Sequence, residues 1–205
     1  MWYKWYNLIM TMDEIKLGKA VLVTEQILLY FIDVYKTIIP IFDKARVYRV
    51  PIKMYDKFRR QNKLKFSQEM YRLKKAGVVK EYFDGKERFL ELTLKGKEKL
   101  KRQITNKLEV QKPKKWDKKW RVVIFDIPNS KKLARDIFRE KLESIGFLKL
   151  QESVYVFPFE CKPEINLLKN MYNLSQHVQY LLVDRIESER NLIEKFYDRD
   201  LISEN

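Results

Sequence analysis

Lys119-Trp120-Arg121-Val122-Val123-Ile124-Phe125-Asp126-Ile127-Pro128 is the stretch on which the fold turns. It is a run of apolar strand formers with one carboxylate, Asp126, near its end. A turn-forming Pro128-Asn129-Ser130 follows, and then a helical pattern begins. A buried strand that delivers an acid to its C-terminal edge presents either chemistry or a partner surface. The chain also changes composition here. Of the formal net charge of +15, residues 1–110 carry +12 (25 Lys/Arg against 13 Asp/Glu) and residues 111–119 a further +4. Residues 120–205 carry −1.

Towards the C-terminus the periodicities alternate. A strand over 120–127 leads to a helix over 131–145, with Leu133, Ile137, Leu142 and Ile145 on one face and Gly146 as its stop. Phe147 to Gln151 reads as extended, and Ser153 to Phe159 as a second strong strand. Pro163 suits a helix start, with Ile165, Leu168 and Met171 behind it. His177 to Asp184 is a final strand, and a short charged helix over 187–198 closes the chain. The order β-α-β-β-α-β predicts a ferredoxin-like sheet covered by helices on one face. Strands this apolar leave a bare face that a second copy would cover, so a homodimer is expected.

Towards the N-terminus lies the segment 109–119, five lysines and a proline, which reads as a solvated basic linker over 111–119. Trp116 and Trp120 are expected to anchor on the second domain, with base stacking the less favoured role. Before it, Val50-Pro51 precedes a short helix at about 51–61. A second helix, about 64–76, ends at Gly77, a good C-cap residue. Phe66, Met70 and Leu73 share its core face. Val78 to Phe83 is extended, Asp84-Gly85 reads as a hairpin turn, and Leu90, Leu92 and Leu94 fall on one side of the return. Thr93 can cap a helix running to about Leu108. Residues 14–44 carry further helical patterning, most simply an extra core helix.

Helix, turn, basic helix and hairpin is the winged helix–turn–helix order. A helix fits the major groove and its polar face reaches base edges, while hairpin and helix ends set cations against phosphates. Gln68, Tyr71 and Arg72 are the base-edge candidates, and Lys65, Lys75, Lys86 and Arg88 the phosphate candidates. The fold class is therefore α+β. A winged-helix domain with an extra N-terminal helix spans 1–110, and a ferredoxin-like domain spans 120–205. Nucleic acid is the leading partner for the basic half and an anionic membrane surface the second; structured RNA or anionic vesicles are the rivals to duplex DNA for the same basic face. Generic basicity would not produce the asymmetry.

Composition excludes other classes. One Cys (Cys161) rules out an internal disulfide and a Cys-rich zinc site, and one His (His177) rules out multi-His metal centres. No nucleotide-binding glycine loop occurs. The most apolar stretch, Ala20 to Ile32, is interrupted by Glu25 and followed by Asp33, short of a membrane span. No signal peptide is read at the N-terminus, so a cytoplasmic protein without a membrane partner is expected.

Three pieces carry a family resemblance: Val123-Ile124-Phe125-Asp126-Ile127-Pro128, Gly146-Phe147, and Gln151-Glu152-Ser153-Val154-Tyr155. They resemble the small second CRISPR-associated adaptation protein, Cas-two. With Trp116-Asp117-Lys118-Lys119-Trp120-Arg121 ahead of the Phe-Asp-Ile-Pro motif, residues 50–185 resemble PaaX-type transcriptional repressors, which place a winged helix before a Cas-two-like domain. The resemblance implies a homodimeric regulator, most simply a repressor, of double-stranded DNA. An aryl-CoA effector goes with a further C-terminal region in that family. Here a short charged helix ends the chain, and a small-molecule effector has no residue-level support.

The resemblance also brings an alternative, a metal-dependent nuclease or DNA-integration scaffold. In Cas-two-like proteins the acid matching Asp126 lies near the dimer axis, where two copies would hold a divalent metal and activate water. Oxygen ligands suit magnesium, and Ser153 would lie nearby. Against this, Asp126 would equally cap the following turn or pair with a lysine. The regulator reading requires no cofactor, so Asp126 is a catalytic and metal candidate of second rank.

Overall fold

The computed structural model describes residues 27, 47–56, 60, 63–113 and 115–202. It divides the chain into two compact units, residues 1–107 and 108–205, with the boundary at Lys107/Leu108. Together they form a mixed α+β structure with two antiparallel sheets. The helical pattern read over 14–44 lies outside the described residues except Ile27, which is helical and buried.

In the first unit, strand β1 (Arg49–Pro51) runs into a 3-10 turn, Ile52–Tyr55. The 51–61 helix read from the sequence is thus preceded by a strand and opens as a tighter turn. Pro51 closes the strand because its nitrogen has no hydrogen to give a ladder. Helix α1 (Lys63–Lys75) follows, then β2 (Val79–Asp84), β3 (Glu87–Leu92) and α2 (Leu94–Lys107). The sheet order is β1-β3-β2, all antiparallel.

The periodicity of α1 settles its packing. Phe66, Met70 and Leu73 are its buried residues, as their spacing predicts. The helix stops in a double-bonded cap: Val78 N–H donates to the Leu73 carbonyl (2.9 Å) and Gly77 N–H to that of Lys74 (2.9 Å). Gly77 sits at φ +65, the left-handed conformation this cap requires. The hairpin loop is Gly85-Lys86, one residue later than read, with Asp84 paired to Glu87. Gly85 takes φ +55 at the first loop position, and Lys86 is left at the tip.

Thr93 ties these elements together. Its hydroxyl accepts from Gly96 N–H (3.0 Å) at the start of α2, and lies 2.6 Å from the Gly77 carbonyl, to which it donates. Leu94 belongs to the first turn of α2 rather than to the strand, and it is exposed, unlike Leu90 and Leu92. Buried Tyr48, Val50, Tyr55, Leu100 and Ile104 complete the core, and the Tyr55 hydroxyl donates to the Ile27 carbonyl (3.1 Å).

The second unit has the element order β-α-β-β-α-β. It contains β4 (Trp120–Phe125), α3 (Lys132–Ile145), β5 (Leu148–Gln151), β6 (Val154–Phe157), α4 (Lys162–Met171) and β7 (Val178–Val183), and α5 (Glu189–Tyr197) follows. The antiparallel order β5-β6-β4-β7 is that of the split β-α-β arrangement. Helix α3 lies on the face that carries Phe125 and Tyr155. Phe138 meets Phe125 edge-on (5.5 Å), and the Tyr155 hydroxyl donates to Glu143 (3.1 Å). The buried face of α3 is Phe138, Lys141, Leu142 and Ile145; Leu133, expected there, is exposed.

On the opposite sheet face, register places Leu181 beside Val122, and alternation adds Ile124. Ile124 is 37% and Leu181 38% exposed, so part of this face is apolar and open.

Candidate nucleic-acid interface

Helix α1 presents two chemically distinct faces. Against the buried Phe66, Met70 and Leu73, the residues Lys65, Gln68, Tyr71, Arg72 and Lys75 are all exposed. One helix therefore brings all five sequence-stretch candidates onto its solvent side. The hairpin adds Lys86 at its tip and Arg88 on β3, both exposed. Lys53, Lys86 and Arg88 line one open groove with Pro51 and Glu87.

Ion pairs decide which of these cations are available. Arg72 donates to Glu69 one turn earlier (2.7 Å). Arg88 donates to Glu81 (3.1 Å), and so does Lys74 from α1 (2.9 Å). Glu81 thus bridges α1, β2 and β3, fixing the helix against the hairpin. The Lys74 hydrogen bond, helped by Arg88, holds the Glu81 carboxyl below the usual carboxylate range. Lys65 and Lys86 form no ion pair among the described residues, so no carboxylate there competes with a polyanion for them. Arg88 is a weaker phosphate candidate than Lys86, because Glu81 already compensates it.

A second carboxylate braces the sheet. Glu91 is buried and receives Arg49 (2.8 Å) and Lys80 (2.7 Å), and the Arg49 guanidinium lies over the Tyr82 ring (3.4 Å to its centre). Burial disfavours the ionised form, yet the hydrogen bonds from Lys80 and Arg49 outweigh it and hold Glu91 below the usual carboxylate range. Glu69, Glu81 and Glu91 were not singled out in the sequence. Glu69 pairs with Arg72 at the local i,i+3 helical spacing, but the partners of Glu81 and Glu91 lie seven to 42 residues away, where no local pattern marks them.

In the second unit, Asp126 is exposed just past the end of β4. Its N–H donates to the His177 carbonyl (2.9 Å), and the preceding Phe125 N–H donates to that of Ser153 (3.0 Å), so Ser153 does lie alongside. Among the described residues no group of three or more His, Cys, Asp or Glu comes together as a metal site. Asp126 of one chain alone offers too few ligands to hold magnesium.

The segment ahead of β4 is a built junction. The Arg121 guanidinium grips both Asp117 carboxylate oxygens (2.6 Å each) and also reaches the Pro158 carbonyl (2.8 Å) and the Lys119 carbonyl (2.9 Å). Trp116 packs on Trp120 with ring centres 4.5 Å apart, and Trp120 stacks on Phe196 of α5 (5.8 Å). Trp120 Nε1 donates to Glu189 (2.9 Å). Both tryptophans therefore pack within the second unit, as expected, and neither needs a base to stack on.

Fold and interface define a class: an α+β chain in which a basic helix-and-hairpin unit precedes a split β-α-β unit. A family comparison then narrows the second unit. Residues 113–192 match the family described as PaaX protein central Cas2-like domain. This segment contains the junction, Asp126 and the whole four-stranded sheet. No curated protein matches the chain. Among the described residues no helix is long and apolar enough to cross a membrane.

Proposed function

We propose that this protein is a double-stranded-DNA-binding transcriptional regulator, acting as a repressor and as a homodimer in the cytoplasm. The observation that carries this reading is the exposed face of α1, with five DNA-suited side chains, locked through Glu81 to a hairpin tipped by Lys86. In this reading the first unit is a winged helix: α1 enters the major groove and the hairpin meets phosphates. The likeness of residues 113–192 to the central domain of PaaX proteins supports a regulatory role for the unit attached to it. The open apolar face around Ile124 and Leu181 supports pairing of two copies. This reading requires no cofactor.

Selection from a random pool of duplexes tests it, run with magnesium and with a chelator. An enriched palindrome bound intact in both conditions is the expected outcome. Binding without an enriched motif would sink the regulator reading. Replacing Arg72 by Ala should cost about 1–3 kcal/mol on the selected site and relax preference at one position. Lys86→Ala should instead weaken all duplexes alike and lower the salt slope by about one. Identical losses on selected and random duplexes for both variants would mean that α1 does not read sequence.

A second reading rests on Asp126, exposed at the strand edge where two copies would bring two carboxylates together. A Cas-two-like nuclease or integration scaffold would cleave or hold DNA with magnesium. The expected result is that Asp126→Ala leaves duplex affinity within error of wild type. Magnesium-dependent cleavage that vanishes in this variant would favour the nuclease.

A further inference from the structure

The middle of the outward face of α1 is apolar. Successive helix residues turn by about 100°, which sets Leu64, Gln68 and Lys75 nearly opposite the buried Phe66, Met70 and Leu73, with Tyr71 about 130° from the centre of that stripe. Leu64 is 79% and Tyr71 63% exposed. In an amphipathic helix, apolar residues outside the core stripe usually border it, where they are half covered. Here both stand well outside it, Leu64 about 150° and Tyr71 about 130° from its centre, with Lys65, Ser67, Gln68 and Arg72 exposed around them. Leu64 also lies in the first turn, the part of a recognition helix that reaches base edges.

The major-groove edge of a base pair is polar except for one group, the C5 methyl of thymine. Leu64 and Tyr71 are seven residues apart, about 10 Å along the helix axis and so about three base-pair steps. Between them, the Gln68 amide suits the N6/N7 edge of adenine, the partner of thymine. We propose that Leu64 and Tyr71 read two thymine methyl groups about three base pairs apart, so that each half-site carries A·T pairs at those positions. The inference rests on the DNA-reading role proposed above for α1 and names the bases it selects.

The test uses the full chain and its selected duplex, with each thymidine replaced in turn by deoxyuridine. This removes the methyl and leaves every hydrogen-bonding group in place. Two positions per half-site should lose affinity by about fourfold, the burial of one methyl-sized group. Leu64→Ala should abolish the sensitivity at one of them and Tyr71→Ala at the other, each leaving its neighbour's intact. Both side chains are exposed, so both variants should melt like wild type. Selective binding that tolerates uracil everywhere would overturn the inference while leaving sequence reading in place. Sensitivity that survives in both variants would overturn the assignment to these residues. Absence of any sequence-selective binding would overturn the function itself and this inference with it.

Discussion

Gly96→Ala is expected to destabilise the first unit by about 3 kcal/mol and to weaken duplex binding with it. The sign is the reverse of the usual one. Alanine within a helix ordinarily gains up to about 1 kcal/mol over glycine. Gly96 lies in the first turn of α2, and a Cβ there would stand 2.1 Å from the Val78 carbonyl oxygen and 2.7 Å from Leu92 Cδ1. Neither neighbour can retreat cheaply. The Val78 carbonyl already accepts the Thr93 N–H (3.1 Å), with the Thr93 hydroxyl 3.0 Å away, and Leu92 is buried in the sheet.

Relief therefore requires α2 to move off the hairpin, breaking the Thr93 cap and opening the core at Val78 and Leu92. Since α1 enters this junction through Gly77, whose carbonyl accepts from Thr93, α1 would lose its footing as well. Denaturant unfolding followed by circular dichroism measures the loss. Lys99→Ala, at an exposed position three residues on, is the neutral control. A variant as stable as wild type would mean that α2 and the hairpin are not packed this closely.

What the sequence could reveal follows from what each element depends on. Helix α1 was legible because its burial repeats every three to four residues and a glycine ends it; both signals are local. The second unit was legible because β4 and β6 are near-continuous apolar runs, with one glycine stop and two clear helical patterns around them. Leu133 misled because it is apolar and close to the right spacing. It lies five residues before Phe138, a rotation of about 140° from the buried line. Phe138 and Lys141 take the face instead. Leu94 misled because strand alternation was carried past Thr93, where the chain changes to a helix.

The exposure of the candidate residues on the α1 face and at the hairpin tip was legible, since composition and spacing mark both. Their electrostatics were not. Glu81 gathers Lys74 and Arg88 only because sheet register brings three elements together, and Glu91 gathers Arg49 and Lys80 in the same way. The basic linker was half legible. Lys112, Lys115, Lys118 and Lys119 are exposed, but Asp117, an unremarkable acid among them, is what fastens the segment to β4 through Arg121.

Arg121→Met is accordingly expected to cost the second unit about 3 kcal/mol, the lower end for breaking a buried ion pair. Arg121 is only 5% exposed, and methionine would fill part of its volume while leaving the Pro158 carbonyl without its donor; the Lys119 carbonyl would keep only Trp116 Nε1 (3.0 Å). The lower end applies because the Asp117 side chain is 48% exposed, so water would resolvate its stranded charge. Asp117→Asn should cost less, since an amide oxygen can still accept from the guanidinium.

The pair also sets a pH signature. The Arg121 hydrogen bonds hold the Asp117 carboxyl below the usual carboxylate range. A depressed folded-state pKa means that the unfolded chain takes up the proton first. The stabilisation is therefore fully present above the unfolded value of about 4 and is lost as pH falls through the lower folded value. Thermal melts of wild type and Asp117→Asn from neutral pH to strong acid should show a gap that is constant down to about pH 4 and then closes. Taking the difference between the two proteins cancels the other depressed carboxylates, Glu81, Glu91 and Glu152, which both share. A gap that stayed constant into strong acid would mean that Asp117 contributes by packing and hydrogen bonding, without its charge. A gap that closed as expected would make the Trp-Asp-Lys-Lys-Trp-Arg junction an electrostatic latch on the Cas2-like unit.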